Sequence, residues 1–310
     1  MGDLLASILR TLLALAALLL LAIAGRRLLE KPAPIPPPGA GERDTIVDGV
    51  RWRSREVEGD EAETVIFIHG LVASSSSWEK VIKQAAGGRR AIAVDLPGSG
   101  YSDRPWPYDY TVGGQSAHLL RFLEVRGIAR AVLIANSLGG AVAIYTAATR
   151  RDRVSALVLV DAAWPRVEIP WTIETLRTPI LGEIEMELYT RPVMGWGLRH
   201  RLFADRAKVT GDVIERYWRP VTIPGTRRAA LAAVRSSASG SDTIMDKIHM
   251  PTLVIWGEQD HLLPVDEGRR LAAAIPGSVL AILPHAGHIP QEETPAEFTQ
   301  VVVDFFKTLP

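Results

Sequence analysis

Ser137 stands between a short apolar run, Ala131 to Ala135, and a helical pattern, Ala141 to Thr149. A serine at the tip of a sharp strand-to-helix turn is held above a sheet by backbone strain, where its hydroxyl can act as a nucleophile. Strand and helix nearly touch at such a turn, so small residues are needed two before and two after the serine; Ala135 and Gly139 meet that need. A serine hydroxyl needs a base, and the base needs a carboxylate to fix its tautomer and stabilise the imidazolium. Of the seven histidines, His288 lies just after the last strand-like run, in Gly287-His288-Ile289-Pro290. Asp260 follows the apolar run that ends at Trp256. Both loops should leave the sheet at the edge that carries Ser137. The candidate catalytic residues are Ser137 as nucleophile, His288 as general base and Asp260 as its carboxylate, an arrangement suited to acyl transfer through a covalent intermediate.

The elements that must position these groups are apolar runs alternating with helical patterns. Thr64–His69, Ala91–Asp95, Ala131–Ala135, Ala156–Asp161, Thr252–Trp256 and Val279–Leu283 have the length and composition of buried strands. Helical patterns cover about 111–125, 141–149, 268–275 and 296–307, and Asp48-Gly49 marks a hairpin turn. This alternation predicts an α/β fold: a mostly parallel central sheet with helices on both faces. Residues 164–245 break the rhythm with prolines, short amphipathic segments and Trp164, Trp171, Trp196 and Trp218. They are expected to form a helical cap inserted into a core of residues 43–163 and 246–310. Most of the cap's aromatics should form its own small core, and some should face the ligand-binding edge of the sheet.

Lysine plus arginine equals aspartate plus glutamate at 35 each, which gives no electrostatic reason to expect a nucleic-acid partner. The chain has no cysteine, so disulfides, thiolate metal sites and a cysteine nucleophile are excluded. No zincin or facial-triad spacing occurs, and neither a metal nor a cofactor is expected. Leu4 to Ala24 is almost wholly apolar, and within residues 1–30 it is expected to act as an uncleaved membrane anchor if Arg10 snorkels. The alternative is a secretory signal cleaved near Ala24, against which Arg26 and Arg27 argue. Residues 31–42, rich in proline, read as a polyproline spacer of about 3.1 Å per residue that holds the folded body off the membrane.

Together these segments resemble the α/β-hydrolase fold family over roughly residues 45–310. The match rests on His69-Gly70, the segment Asp95-Leu96-Pro97-Gly98-Ser99-Gly100-Tyr101-Ser102, the Ser137 elbow, Trp256-Gly257 with Asp260, and His288 with Pro290, Glu293 and Pro295. Ser137, Asp260 and His288 occur in the chain order found in that family. The resemblance implies an oxyanion hole formed by the main-chain N–H groups of Leu71 and Leu138. Leu138 also opens a helix, whose N-terminal donors and dipole favour negative charge. Ala135 replaces the family's usual glycine, at the cost of one methyl group at a tight contact. Related dehalogenases and epoxide hydrolases use aspartate at the elbow, and Ser137 points away from both chemistries.

The expected activity is hydrolysis of a lipophilic ester, and the layout resembles anchored monoacylglycerol-lipase-like members of the family. Two alternatives are a carbon–carbon bond hydrolase of ring-cleavage diketones and a hydrolase-fold binding protein without turnover. Asp161 rivals Asp260 as the acid, although a place at the cap junction suits it better, and His285 is the substitute for His288. His69, Asp95 and Asp103 are expected to fix loops, and His261 to face solvent.

Overall fold

The computed structural model describes residues 30–168, 170–236 and 242–309, with scattered positions among the first 29. Eight strands form one sheet: β1 (Glu42–Val47), β2 (Val50–Val57), β3 (Asp60–Ile68), β4 (Arg89–Val94), β5 (Ala131–Asn136), β6 (Val154–Val160), β7 (Thr252–Gly257) and β8 (Val279–Leu283). Their order is β1-β2-β4-β3-β5-β6-β7-β8. The first two form a hairpin that turns at Asp48-Gly49, both at positive φ, and β2 pairs antiparallel with β4. Strands β3 to β8 pair in parallel.

Parallel strands need crossover connections, and these bury both faces of the sheet. That is why the strand sequences read as unbroken apolar runs rather than alternations. All six residues of β5 are buried. Leu133 and Ala135 join one core layer with Val142 and Trp256; Val132 and Ile134 join the other with Trp78 and Phe298. The chain is an α/β protein with a mostly parallel sheet and helices on both faces.

Between β6 and β7 lie the helices Trp171–Arg177, Leu181–Leu188, Arg191–Gly197, Gly211–Val221 and Thr226–Ser236. Met194, Leu198, Phe203, Ile214 and Trp218 pack together there with Ile289, which comes from beyond β8. Thr210 caps the helix Gly211–Val221 by accepting from the Val213 amide. The four tryptophans of this region divide. Trp164 joins the main core and Trp218 the helical cluster, whereas Trp171 and Trp196 are 76% and 57% exposed.

Among the described residues no helix is long and apolar enough to cross a membrane. This overturns the membrane anchor expected over residues 4–24 and the membrane location drawn from it. From Thr11 to Ala24 the apolar run has 14 residues, where a span needs about 20, and reaching that length requires counting back through Arg10. Most positions of residues 4–24 lie outside the described residues. The proline-rich segment is neither helix nor strand, as its missing donors dictate. It lies against the body rather than standing off it. Glu30 pairs with Arg227, the Ala33 amide donates to Thr222, and the Pro36 carbonyl accepts from the buried Arg53 guanidinium.

Candidate active site

The turn after β5 places Ser137 at φ 53° and ψ −123°, directly before the helix Leu138–Thr149. Its amide donates to the Val160 carbonyl and its carbonyl accepts from Ala163, so the strained turn is pinned to the end of β6. The close approach requires glycine. A Cβ at Gly139 would lie 2.5 Å from the His69 carbonyl oxygen, and one at Gly140 would lie 2.4 Å from the Ala162 Cβ. Five non-glycine residues among those described have positive φ, and three of them, Val72, Ser137 and Asp161, gather at this rim. Strain of that kind persists only where the surroundings over-determine the backbone.

His288 follows β8 in a loop whose backbone is held from three sides. Its own amide donates to the Leu202 carbonyl, the Gly287 amide to Glu293 Oε1, and the Gln259 amide to the Ala286 carbonyl. The Asp260 loop touches this one so closely that a Cβ at Gly257 would lie 2.0 Å from the Gly287 carbonyl oxygen. His288 Nδ1 lies 2.7 Å from Asp260 Oδ2, and both side chains are buried. Asp260 Oδ1 accepts from the amides of Leu262 and Leu263 at 2.7 and 2.9 Å. The imidazole therefore points its Nδ1 edge at the carboxylate. Its Nε2 is buried and has no hydrogen-bond partner among the described residues. Ser137 and His288 line the same cavity, and among the described residues no hydrogen bond joins the hydroxyl to the imidazole.

That cavity has a volume of about 580 Å³, within the range of small-molecule sites. Leu71 and Leu138 line it beside Ser137, and among the described residues neither backbone N–H makes a hydrogen bond within the protein. The wall is aliphatic and aromatic, with Trp171, Met186, Val193, Trp196 and Leu231 on the side of the inserted helices. No lysine or arginine lines it among the described residues, and its one acidic side chain is Glu185, which accepts from the Thr175 hydroxyl at 3.0 Å.

Several expected roles of neighbouring residues are visible as contacts. His69 Nε2 accepts from the Leu96 amide and its Nδ1 faces the Gly70 carbonyl; burial lowers its pKa, which favours the neutral ring these bonds require. Asp95 accepts from the amides of Ser75 and Tyr101, and Asp103 from Arg51. His261 is exposed. Asp161 does not bond His288, yet it sits behind Asp260, a position that the sequence alone did not reveal.

Other participants emerge only in three dimensions. The Asn136 amide donates both to the Val160 carbonyl and to the His288 carbonyl, joining the elbow to the histidine loop. Glu292 is buried and accepts from Tyr217 and Arg216 on the helix Gly211–Val221, while Glu293 accepts from Ala204 and Gly287. Burial raises both glutamates above the usual carboxylate range. These two residues tie the inserted helices to the histidine loop. The motif through Glu293 was readable in the sequence, but the partners of its carboxylate were not.

Comparison with known proteins agrees with this fold. Residues 63–295 match a family model described as alpha/beta hydrolase fold. A Bacillus subtilis protein known only as an uncharacterized hydrolase is 28% identical over 268 residues, covering 86% of this chain and 97% of its own. The 2-hydroxy-6-oxo-6-(2'-aminophenyl)hexa-2,4-dienoic acid hydrolase of Metapseudomonas resinovorans is 29% identical, covering 85% of this chain and 90% of its own. A meta-cleavage product hydrolase of Pseudomonas fluorescens superposes with a TM-score of 0.74 at 26% identity, covering 86% of this chain and 97% of that one.

Proposed function

The chain belongs to the alpha/beta hydrolase fold family, and from that premise we propose a serine hydrolase that cleaves neutral, lipophilic carboxylic esters. In this reading Ser137 attacks the carbonyl carbon while His288 Nε2 takes its proton. The oxyanion is received by the Leu71 and Leu138 N–H groups, each such donor typically lowering the barrier by ~3 kcal/mol. His288 then protonates the leaving alcohol, and water, activated by the same imidazole, releases the acid from Ser137. Asp260 keeps the imidazole in the tautomer that bares Nε2. Residues 164–245 serve as the cap that supplies the apolar wall.

The observation that carries the ester reading is the charge of the cavity: a carboxylate on one side and no lysine or arginine anywhere on the described wall. A dienoic acid of the kind named for the Metapseudomonas relative carries a carboxylate, and burying an unpaired anion beside Glu185 is strongly unfavourable. The relatives themselves favour the second reading, carbon–carbon bond cleavage of such diketones. One experiment separates the two. Initial rates are measured on p-nitrophenyl esters from acetate to dodecanoate, and on a dienol diketone carboxylate. The proposal expects kcat/KM to rise with chain length, by up to about fourfold per buried methylene, with negligible diketone turnover. Efficient diketone cleavage with negligible ester turnover would replace it.

A further inference from the structure

Directly behind the His288–Asp260 pair lies a second carboxyl group for which the reaction above has no use. Asp161 ends β6 at φ 42°, its amide bonded to the Ile255 carbonyl on the neighbouring strand, and it is fully buried. Oδ1 accepts from the Gly257 amide at 2.9 Å. Among the described residues Oδ2 is buried without a donor. Ligand-capable atoms of Asp161, Asp260 and His288 all lie within 4.8 Å of one another.

The charged groups around it decide which carboxyl holds a proton. Asp260, from the loop after β7, and Glu293, from the helix Pro290–Glu293, both face Asp161 with negative charge. No lysine or arginine is among the main influences on it, and the nearby imidazole of His288 is turned to Asp260. Asp260 receives three donors, two amides and the imidazole, which is the set an ionised carboxylate satisfies. Asp161 receives one. Two like charges this close in a dry site do not both persist, and the less solvated group stays neutral. Burial, followed by the Asp260 charge, pushes Asp161 well above the ordinary carboxylate range.

We propose that Asp161 is a carboxylic acid in the working protein, donating from Oδ2 to the Asp260 carboxylate, and acts as a positioning residue for the His288–Asp260 pair. A carboxylate oxygen at Oδ2 has no donor to meet, whereas a carboxylic acid has a proton to give, and Asp260 is the acceptor beside it. The bond holds Asp260 against rotation, so that Oδ2 stays on His288 Nδ1 while Oδ1 keeps the Leu262 and Leu263 amides. The proton remains on Asp161 through turnover; only the proton shared among Ser137, His288 and the leaving alcohol moves.

The inference rests on the serine-hydrolase reading for its catalytic consequence, but the protonation state can be read without turnover. Infrared difference spectra of wild type and Asp161→Asn should show the carbonyl stretch of a protonated carboxyl in wild type alone, persisting well above the ordinary aspartate pKa. Kinetics on a p-nitrophenyl ester then test its role. Asp161→Asn keeps a neutral donor, and should hold kcat/KM and the acid limb of its pH profile within about threefold of wild type. Asp161→Ala removes the donor, and should lower kcat at least about tenfold with KM little changed. Absence of the infrared band overturns the proposal even if Asp161→Ala fails to fold. So does an Asp161→Asn variant that loses as much activity as Asp260→Asn, which would make Asp161 itself the acid serving His288. Failure of the ester reading shows up separately, as wild-type protein without ester turnover but with the infrared band.

Discussion

His288 Nδ1 lies 2.7 Å from Asp260 Oδ2, and the other Asp260 oxygen is fixed by the Leu262 and Leu263 amides. The carboxylate is thus oriented by its own loop before it meets the ring. Replacing Asp260 with asparagine keeps the shape but offers an N–H or a weaker acceptor to Nδ1, favouring the tautomer in which Nε2 carries the proton. Asp260→Asn should lower kcat on a p-nitrophenyl ester by about 10³- to 10⁴-fold with little change in KM, measured by steady-state kinetics. A loss below tenfold would mean that another acid orients His288.

Asn136 is the strut between the nucleophile turn and the histidine loop, through its bonds to the Val160 and His288 carbonyls. Asn136→Ala leaves the buried His288 carbonyl without that donor, while the Val160 carbonyl keeps the Ser137 amide. A buried polar group left unsatisfied costs about 1–3 kcal/mol, so denaturant unfolding should show a loss of about 1 kcal/mol or more. Activity should fall as well, because the loop then drifts relative to Ser137. Unchanged stability together with unchanged kcat would remove Asn136 from the account.

Glu185 supplies the one acidic side chain on the described wall of the cavity. Glu185→Lys reverses its charge. The ratio of kcat/KM for an ester whose acyl chain ends in carboxylate to that for the same ester ending in methyl should rise at least about tenfold in the variant. A ratio that does not move would place the chain end away from Glu185.

The buried acid at 161 also makes stability depend on pH in a defined direction. Its pKa is raised by burial and by Asp260, so the folded state holds a proton that the unfolded chain releases near the ordinary aspartate pKa. The folded state binds more protons above that point, and wild-type stability is therefore drawn down as pH rises. Asparagine has no proton to release. The stability of Asp161→Asn relative to wild type should grow as pH rises from about 4, by at most about 1.4 kcal/mol per unit, in urea unfolding series. A flat difference would mean that Asp161 ionises normally.

The sheet was legible because parallel strands buried on both faces leave unbroken apolar runs, and β3 to β8 each coincide with one. The positions of Ser137, Asp260 and His288 were legible for a related reason: each lies after such a run, and parallel strands end at one edge. Contacts across distant segments were not. The bond from Asn136 to His288 spans 152 residues, and the nearness of Asp161 to Asp260 depends on β6 and β7 being neighbours. In the cap, short proline-broken helices give no period long enough to show which tryptophans face inward, and the structure divides them between two cores and the surface. The N-terminal apolar run reaches the length of a membrane span only if Arg10 is included, so hydropathy alone overstates it.

The proposed chemistry begins at the Ser137 hydroxyl. Wild-type protein is incubated with a fluorophosphonate probe and with p-nitrophenyl octanoate, then digested and analysed by mass spectrometry beside Ser137→Ala. One adduct on the Ser137 peptide, absent from the variant together with all ester turnover, is the predicted result. Turnover retained by Ser137→Ala, or an adduct only on another residue, would contradict it.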